Sequence, residues 1–290
     1  MWWERWRIPI MLAPTLAVIL LLFVGGLGYG FLQSLGYNPR IGNTELSLEA
    51  YQNLFSDEFS REFWRGLLLT FWVSFASTFL SAVIALMCAL LLRQTFFGKR
   101  LAVFLFQLNL PVPHLVGAIG VLFLFSQSGL VSRFGAQTGI ISTPSEFPVL
   151  VRDEWGIGII LAYIWKEVPF IGVIVLAILQ SLGENYEELA RSLGANRWQR
   201  FRYVILPLVM PGMISGSIIV FAFIFGSYEV PRLLGVRFPE MMAVISLDFF
   251  LNPDLNARDE GMAMSMIMAG IVFVLIMIYM WLSGRTIRQH

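Results

Sequence analysis

The sequence is short of charge, cysteine and histidine. Lys, Arg, Asp and Glu make up 13% of its 290 residues, whereas 57% are hydrophobic. Soluble domains usually carry about 25% charged residues, so the composition argues against one. One cysteine and two histidines exclude a disulfide framework and a cysteine-rich metal cluster. No G-x-x-x-x-G-K-[ST] segment is present, so the sequence contains no phosphate-binding loop of the ATPase type.

Long apolar segments account for most of the hydrophobic residues. A helix needs about 20 apolar residues to cross the hydrocarbon core of a bilayer. Six segments are suited to this: Ile8–Leu32, Gly66–Leu92, Leu101–Phe125, Ile157–Ser181, Leu208–Phe225 and Met262–Leu282. The first has no A-x-A-type cleavage site, so we interpret it as a retained span rather than a signal peptide. We therefore predict an all-α membrane protein with six transmembrane helices.

The spans suggest a division of the chain into three parts. Residues 1–65 hold the first span and a long polar loop, residues 66–283 hold the other five spans, and residues 284–290 form a tail. The loop sequence LSLEAYQNLFSDEFSREFWRG predicts short amphipathic helices. Small residues at steps of three and four predict close helix packing in the second span. They are Thr70, Ser74, Ser77, Thr78, Ser81, Ala82 and Ala85. G-x-x-x-G pairs also predict close helix packing in the first span (Gly26, Gly30) and in the fifth (Gly212, Gly216).

The distribution of basic residues predicts the orientation. Eleven of the 20 Lys and Arg residues lie on one side of the predicted membrane, and eight lie on the other. The short segments 93–100 and 285–288 contribute to the larger group. Because an excess of Lys and Arg near span ends marks cytoplasmic loops, we predict that both termini and the loop 184–207 are cytoplasmic. The loop 34–65 and the loops after the fifth span are then outside.

The loop 184–207 is polar and rich in arginine, and its pattern predicts two short helices. The first, Glu184–Leu193, begins with acidic residues, which suit a helix N-terminus. Gly194 is placed to end this helix, and Asn196 is placed to cap a second one over Arg197–Val204. Pro207 then suits the start of the next span.

An apolar stripe on the first of these helices indicates a contact outside the chain. Leu189, Ala190 and Leu193 lie on one face by the helical i, i+3, i+4 rule. A stripe that projects from a membrane domain needs a partner. The alternative is an amphipathic loop that lies on the bilayer surface.

The spacing of the loop resembles the cytoplasmic loop of permease subunits of ATP-binding-cassette importers, E-A-A-x3-G-x9-I-x-L-P. Glu188, Ala190, Gly194 and Leu206–Pro207 match its anchors, while Leu189 and Val204 replace one apolar residue each. The resemblance implies that the first helix docks in a cleft of a separate ATPase, where Gly194 permits the turn and Glu188 meets a basic group. The implied coupling residues are Glu188, Leu189, Ala190, Leu193, Gly194, Ala195, Leu206 and Pro207.

The same resemblance implies the fold and the assembly. It implies the type I importer permease fold in the bacterial inner membrane, without catalytic residues, metal or cofactor in this chain. ATP and Mg²⁺ would bind to two partner ATPase subunits. The other implied partners are membrane lipid, a second permease (a paralogue or an identical copy) and a periplasmic or lipid-anchored solute-binding protein; none is a nucleic acid. The chain looks most like polyamine permeases, and carbohydrate, ferric iron, sulfate and phosphonate remain open as solutes.

Two polar interruptions of the spans are candidates for the solute path. The third span contains NLPVPH, in which Pro111 and Pro113 remove backbone donors near Asn109. The fourth span contains Lys166 and Glu167, and charges at that depth usually face a cavity or a partner. Adjacent helical residues point about 100° apart, so we expect one charge to face the bundle and the other the partner permease. The alternative for the break is a structural kink or a re-entry turn, and the alternative for the two charges is an inter-helix ion pair.

Two other classes of protein compete with this interpretation. An ion-driven secondary transporter commonly has inverted repeats with breaks at matching positions. Here the proline break occurs in the third span alone. An intramembrane enzyme would need His, Asp or Cys residues clustered at ligand spacing, which two isolated histidines do not provide.

Overall fold

The computed structural model describes residues 2–56, 59–182 and 185–287. Glu184, with which the first loop helix was predicted to begin, lies outside these residues, as do positions 288–290 of the predicted tail. Thirteen α-helices occur in the described part: α1 (Trp2–Ser34), α2 (Glu49–Leu54), α3 (Ser60–Leu92), α4 (Lys99–Gln107), α5 (His114–Phe125), α6 (Leu130–Gln137), α7 (Ile157–Leu182), α8 (Asn185–Ser192), α9 (Arg197–Arg200), α10 (Leu206–Phe225), α11 (Glu229–Leu234), α12 (Met242–Phe250) and α13 (Ala257–Ile287). Short 3₁₀ turns occupy Pro39–Ile41 and Pro144–Glu146, and a π-helical turn occupies Phe201–Ile205.

Six stretches of the described helices are long and apolar enough to cross a membrane, which confirms the predicted all-α class and the number of spans. They are Arg7–Ser34, Ser60–Leu92, His114–Gln137, Ile157–Ser181, Arg197–Phe225 and Ala257–Trp281. Length and composition alone define these spans. The predicted cytoplasmic position of the termini therefore stays a prediction.

The proline break predicted within the third span, Leu101–Phe125, is present, but the bounds predicted for that span are wrong. The chain leaves helical geometry between Gln107 and His114, so α4 and α5 are separate helices. Pro111 and Pro113 explain the break, because each lacks a backbone donor and disfavours helix in the residue before it. The candidate span starts at His114 and continues through α6.

One compact unit comprises residues 64–244 together with the chain from residue 272 onward. The helix α7 lies at its centre, since 67% of its apolar window is buried, more than for any other span. It packs against α4, α5, α10 and α11. The predicted glycine contact in the fifth span is confirmed, because Gly212 and Gly216 of α10 face Ile178 and Ile174 of α7. These two helices can therefore approach closely because glycine has no side chain at either position.

The stripe of small residues in the second span lies in the interior, as predicted. Thr70, Ser74, Ser77 and Ser81 of α3 are completely buried, and Ala85 is as well. Thr70 Oγ1 donates to the Gly66 carbonyl (2.7 Å) and accepts from the Met242 N–H (2.9 Å). The outward face of α3 instead carries large apolar side chains such as Phe75 and Phe79.

The second compact unit comprises residues up to 63 and residues 245–271. Of the short helices predicted for LSLEAYQNLFSDEFSREFWRG, one is present as α2, whereas the residues from Ser60 onward belong to the long helix α3, so the prediction is wrong for that half. The hydroxyls of Ser34 and Tyr51 are hydrogen-bonded (2.8 Å), and this bond joins the end of α1 to α2. Of the predicted glycine pair in α1, Gly30 packs against Met266 whereas Gly26 faces open space. The packing prediction for the first span is therefore right for one glycine and wrong for the other.

Candidate functional site

The loop between α7 and α10 forms a sharp turn, which we call the elbow (residues 185–207). Gly194 has a φ angle of +85°, a left-handed conformation that glycine adopts without steric strain. Its N–H donates to the Arg191 carbonyl (3.0 Å), and the N–H of Ala195 donates to the Ala190 carbonyl (3.0 Å). This pair of bonds is the Schellman arrangement, which ends α8 as the sequence predicted.

The second half of the elbow is held by a capping box. The Asn196 side chain accepts from the Gln199 N–H (2.9 Å), and the Gln199 side chain accepts from the Asn196 N–H (2.8 Å). Asn196 therefore caps the second helix as predicted. The predicted end at Val204 is wrong for the α-helix, because α-helical geometry stops at Arg200 and a π-helical turn leads into α10. Such turns insert one extra residue per turn and are common at functional positions.

The elbow presents apolar side chains to its surroundings. Leu189 is 62% exposed and Leu193 is 81% exposed. The Glu188 carboxylate is also exposed and has no hydrogen bond or ion pair with another described residue. Trp198 and Tyr203 of the elbow are also exposed, although the loop pattern did not predict either as a contact residue. Their signal was the presence of large aromatic residues in an otherwise polar loop.

The remaining predicted coupling residues flank this surface. Ala190 and Ala195 are half-buried and complete the turn around Gly194. Leu206 and Pro207 are the first two residues of α10. The eight predicted residues therefore belong to one continuous piece of chain, and Leu189 and Leu193 are the most exposed apolar members.

An ion pair that was not predicted from the sequence holds α8 against another loop. The Arg93 guanidinium pairs with the Glu187 carboxylate, and both groups are partly buried. The Lys99 ammonium donates to the Arg93 carbonyl (3.0 Å). The loop 93–98 is thereby joined to the elbow. Both charges lie on the side that was predicted to be cytoplasmic, which was the only sequence signal for the contact.

A second group of polar residues lies inside the unit at the break between α4 and α5. The ammonium of Lys166, on α7, donates to the carbonyls of Asn109 (2.8 Å), Leu110 (2.9 Å) and Val112. A helix end and a proline break leave such carbonyls without intrahelical donors. One buried cation therefore satisfies three carbonyls of the broken segment, and we call this group with Glu167 and His114 the buried cluster.

Glu167 contacts the other end of the break. Its carboxylate lies 2.9 Å from Nε2 of His114, the first residue of α5. The His114 ring lies 4.6 Å from the ring of Phe223. Lys166 and Glu167 are only 7% and 5% exposed. The expectation that one of the two charges faces a partner is therefore wrong, since the helical angle between them directs them to the two ends of one break.

The five path candidates lie together but differ in exposure. Asn109 is buried and its side-chain amide donates to the Trp165 carbonyl. Pro111 and Pro113 are exposed on the outer side of the break, whereas Lys166 and Glu167 are buried behind it. Within the described residues, no group of three or more His, Cys, Asp and Glu side chains could hold a metal ion.

These features define a helical membrane component with a surface elbow, and comparison with known proteins identifies its family. Residues 81–288 match the model of the binding-protein-dependent transport system inner membrane component family. The match covers more than half of the chain. The chain therefore belongs to this family.

Individual relatives and solved structures agree with this assignment. The sulfate transport system permease protein CysT of Salmonella typhimurium is 30% identical over 63% of each chain, so less than two thirds of that relative's length is aligned. The spermidine/putrescine permease protein PotB of Haemophilus influenzae is 28% identical over 79% of this chain and 74% of its own. A chain of a bacterial alginate ABC transporter crystal structure is similar with a TM-score of 0.80, at 19% identity over 98% of this chain and 97% of that one. This last similarity shows the importer permease fold.

Proposed function

We propose that this chain is the permease subunit of an ATP-driven, binding-protein-dependent importer of the bacterial inner membrane. The observation that carries the proposal is the elbow, on which Leu189 and Leu193 are exposed beside a turn fixed by Gly194. Exposed apolar surface on a rigid projection is typical of a protein contact. The given sequence holds no phosphate-binding loop, so we assign ATP binding to a partner subunit. An ATPase subunit docked on the elbow satisfies both requirements.

The proposed assembly has four kinds of component. Two ATP-binding subunits hold ATP and Mg²⁺ on the cytoplasmic side, and a second permease, a paralogue or an identical copy, completes the solute path. A solute-binding protein delivers solute from outside, and a periplasmic protein is present with the similar alginate transporter. Closure of the ATPases on ATP moves the elbow of each permease. The two permeases then rock around a central cavity, which alternates the side of access.

The buried cluster suggests two roles for the five path candidates. Pro111 and Pro113 are exposed, so they are the members that can line a path shared with the second permease. Asn109, Lys166 and Glu167 are buried behind them and hold the broken segment in shape. The broken backbone is tolerated in the membrane because the Lys166 ammonium satisfies three of its carbonyls.

A small polar solute is proposed, with a polyamine as the first candidate. The relative PotB is a spermidine/putrescine permease, and the alignment covers more of this chain than that of CysT. The alternatives are sulfate, carbohydrate, ferric iron and phosphonate, of which the relative CysT and the alginate transporter represent the first two.

The elbow can be tested by placing a charge on its apolar surface. We expect Leu193→Glu to reduce ATP-dependent uptake by the assembled importer roughly tenfold or more, because a central apolar contact of an interface is lost. Ile140→Glu is the matched control, since Ile140 is 77% exposed and lies on a loop far along the chain from the elbow. Uptake and ATPase rate are measured in proteoliposomes with the co-purified partner chains. Equal uptake by both variants, or ion-driven uptake by the lone chain, would refute the proposal.

A further inference from the structure

In the smaller compact unit, α2 and the loop before it, together with the first turn of α13 and the loop before it, line an acidic cleft with a volume of about 560 Å³. Its lining includes the carboxylates Glu45, Glu49, Asp254, Asp259 and Glu260. None of the described lining residues is basic. The volume falls in the range of clefts that hold a small molecule, about 300–1,000 Å³.

One of these carboxylates is buried, and one of its oxygens lacks a hydrogen bond. Asp259 is 8% exposed, and its Oδ1 has no hydrogen-bond partner among the described residues. By contrast, Glu260 accepts a hydrogen bond from the Asn53 side chain (2.8 Å), which joins the two walls of the cleft. An unpaired buried carboxylate is unfavourable unless a cation or a donor approaches it. Oδ1 of Asp259 is therefore open to a hydrogen-bond donor or a cation that enters the cleft.

The arrangement of the acids selects the chemical class of that ligand. The acids of the cleft form no group of three that could hold a metal ion in the described part of the chain. A compact divalent cation needs several oxygen ligands around one point. Carboxylates that are spread along a cleft suit a flexible molecule with several separated positive charges. Aliphatic amines with two or more ammonium groups have this chemistry.

We propose that this cleft is a binding site for a free polyamine, with one ammonium group paired to the carboxylate of Asp259. The other acids attract the remaining ammonium groups of the ligand. Under the predicted orientation the cleft lies at the outer end of α13, so the site would bind solute on the outer side of the membrane. Its role in import rests on the proposed function, whereas binding itself does not.

The test is the affinity of the full chain in lipid nanodiscs for spermidine, measured by calorimetry at fixed ionic strength. We expect saturable binding, and a dissociation constant at least about tenfold higher in Asp259→Asn, because a desolvated charge pair is removed. Glu154→Gln is the control, since it removes an exposed carboxylate that does not line the cleft. We expect this variant to bind as the original chain does. Should Asp259→Asn fail to fold, the exposed pair Glu45→Gln and Glu49→Gln provides the same comparison.

Three results would overturn the proposal. One is the absence of saturable binding, and another is an equal dissociation constant in Asp259→Asn and Glu154→Gln. The third is tighter binding of a trilysine peptide than of spermidine, which would assign the cleft to a protein side chain. Loss of spermidine binding with normal elbow-dependent uptake would reject this site and leave the proposed function intact. Normal spermidine binding without elbow-dependent uptake would reject the proposed function and leave this site intact.

Discussion

The elbow and the buried cluster obtain their shapes in opposite ways. The bonds that fix the elbow turn at Gly194 and Asn196 join residues three to five positions apart. The bonds of the buried cluster join residues 53 to 57 positions apart, from Lys166 and Glu167 to the break before α5. The elbow is therefore a local structure that leaves its apolar residues free for a partner. The buried cluster exists only when α7 is packed against α4 and α5.

The largest expected effect is the loss of the buried ammonium. Lys166→Met removes the ammonium from three carbonyls; that of Asn109 still accepts from the Val112 N–H (3.1 Å), whereas those of Leu110 and Val112 lose their donor. Each unsatisfied buried group costs about 1–3 kcal/mol. We expect the free energy of unfolding to fall by about 3 kcal/mol or more, as measured by denaturation in detergent micelles. Lys99→Met is the control, because Lys99 donates to a single carbonyl, that of Arg93. Similar losses in both variants would show that the three bonds do not stabilise the break.

A smaller effect is expected where α5 packs on α7 beside the buried cluster. A Cβ atom at Gly117 would lie 2.5 Å from the Trp165 ring, whereas one at Gly120 would meet nothing within 4 Å. Gly117→Ala is therefore expected to destabilise the chain by about 1–3 kcal/mol through overpacking. Gly120→Ala should leave stability unchanged or raise it by about 0.4–1 kcal/mol, since alanine restricts the unfolded chain. Thermal unfolding of the two purified variants compares these positions directly, and a stable Gly117→Ala variant would contradict the packing.

The smallest effect is expected in the elbow. Asn196→Ala removes one half of the capping box, which is worth about 1 kcal/mol of helix stability. Because the bonds are local, we expect faster hydrogen exchange at residues 197–200 and an unchanged unfolding midpoint. Gln199→Glu is the matched control, because a carboxylate at this position can still accept from the Asn196 N–H. A general loss of stability in Asn196→Ala would show that the elbow is not locally determined.

The same contrast explains what could be predicted from the sequence. Gly194 and Asn196 act on their immediate neighbours, so their roles followed from spacing, and hydropathy was sufficient for the number of spans. The roles of Lys166 and Glu167 did not follow, because one sequence does not show which segments lie beside α7. The break at Pro111 was predicted, but the residues at which the helices on either side of it end and begin were not. The end of α4 depends on which donors can satisfy the freed carbonyls, and these come from another helix.

The most direct test of the proposed coupling is to identify what covers the elbow in the assembled importer. A photo-crosslinking amino acid at position 193 can be activated in native membranes, with the same substitution at position 140 as the control. We predict a crosslink from position 193 to an ATP-binding subunit, which is lost when that subunit is removed, and none from position 140. Crosslinks from position 193 to lipid alone, or to a protein on the outer side of the membrane, would contradict the proposed function.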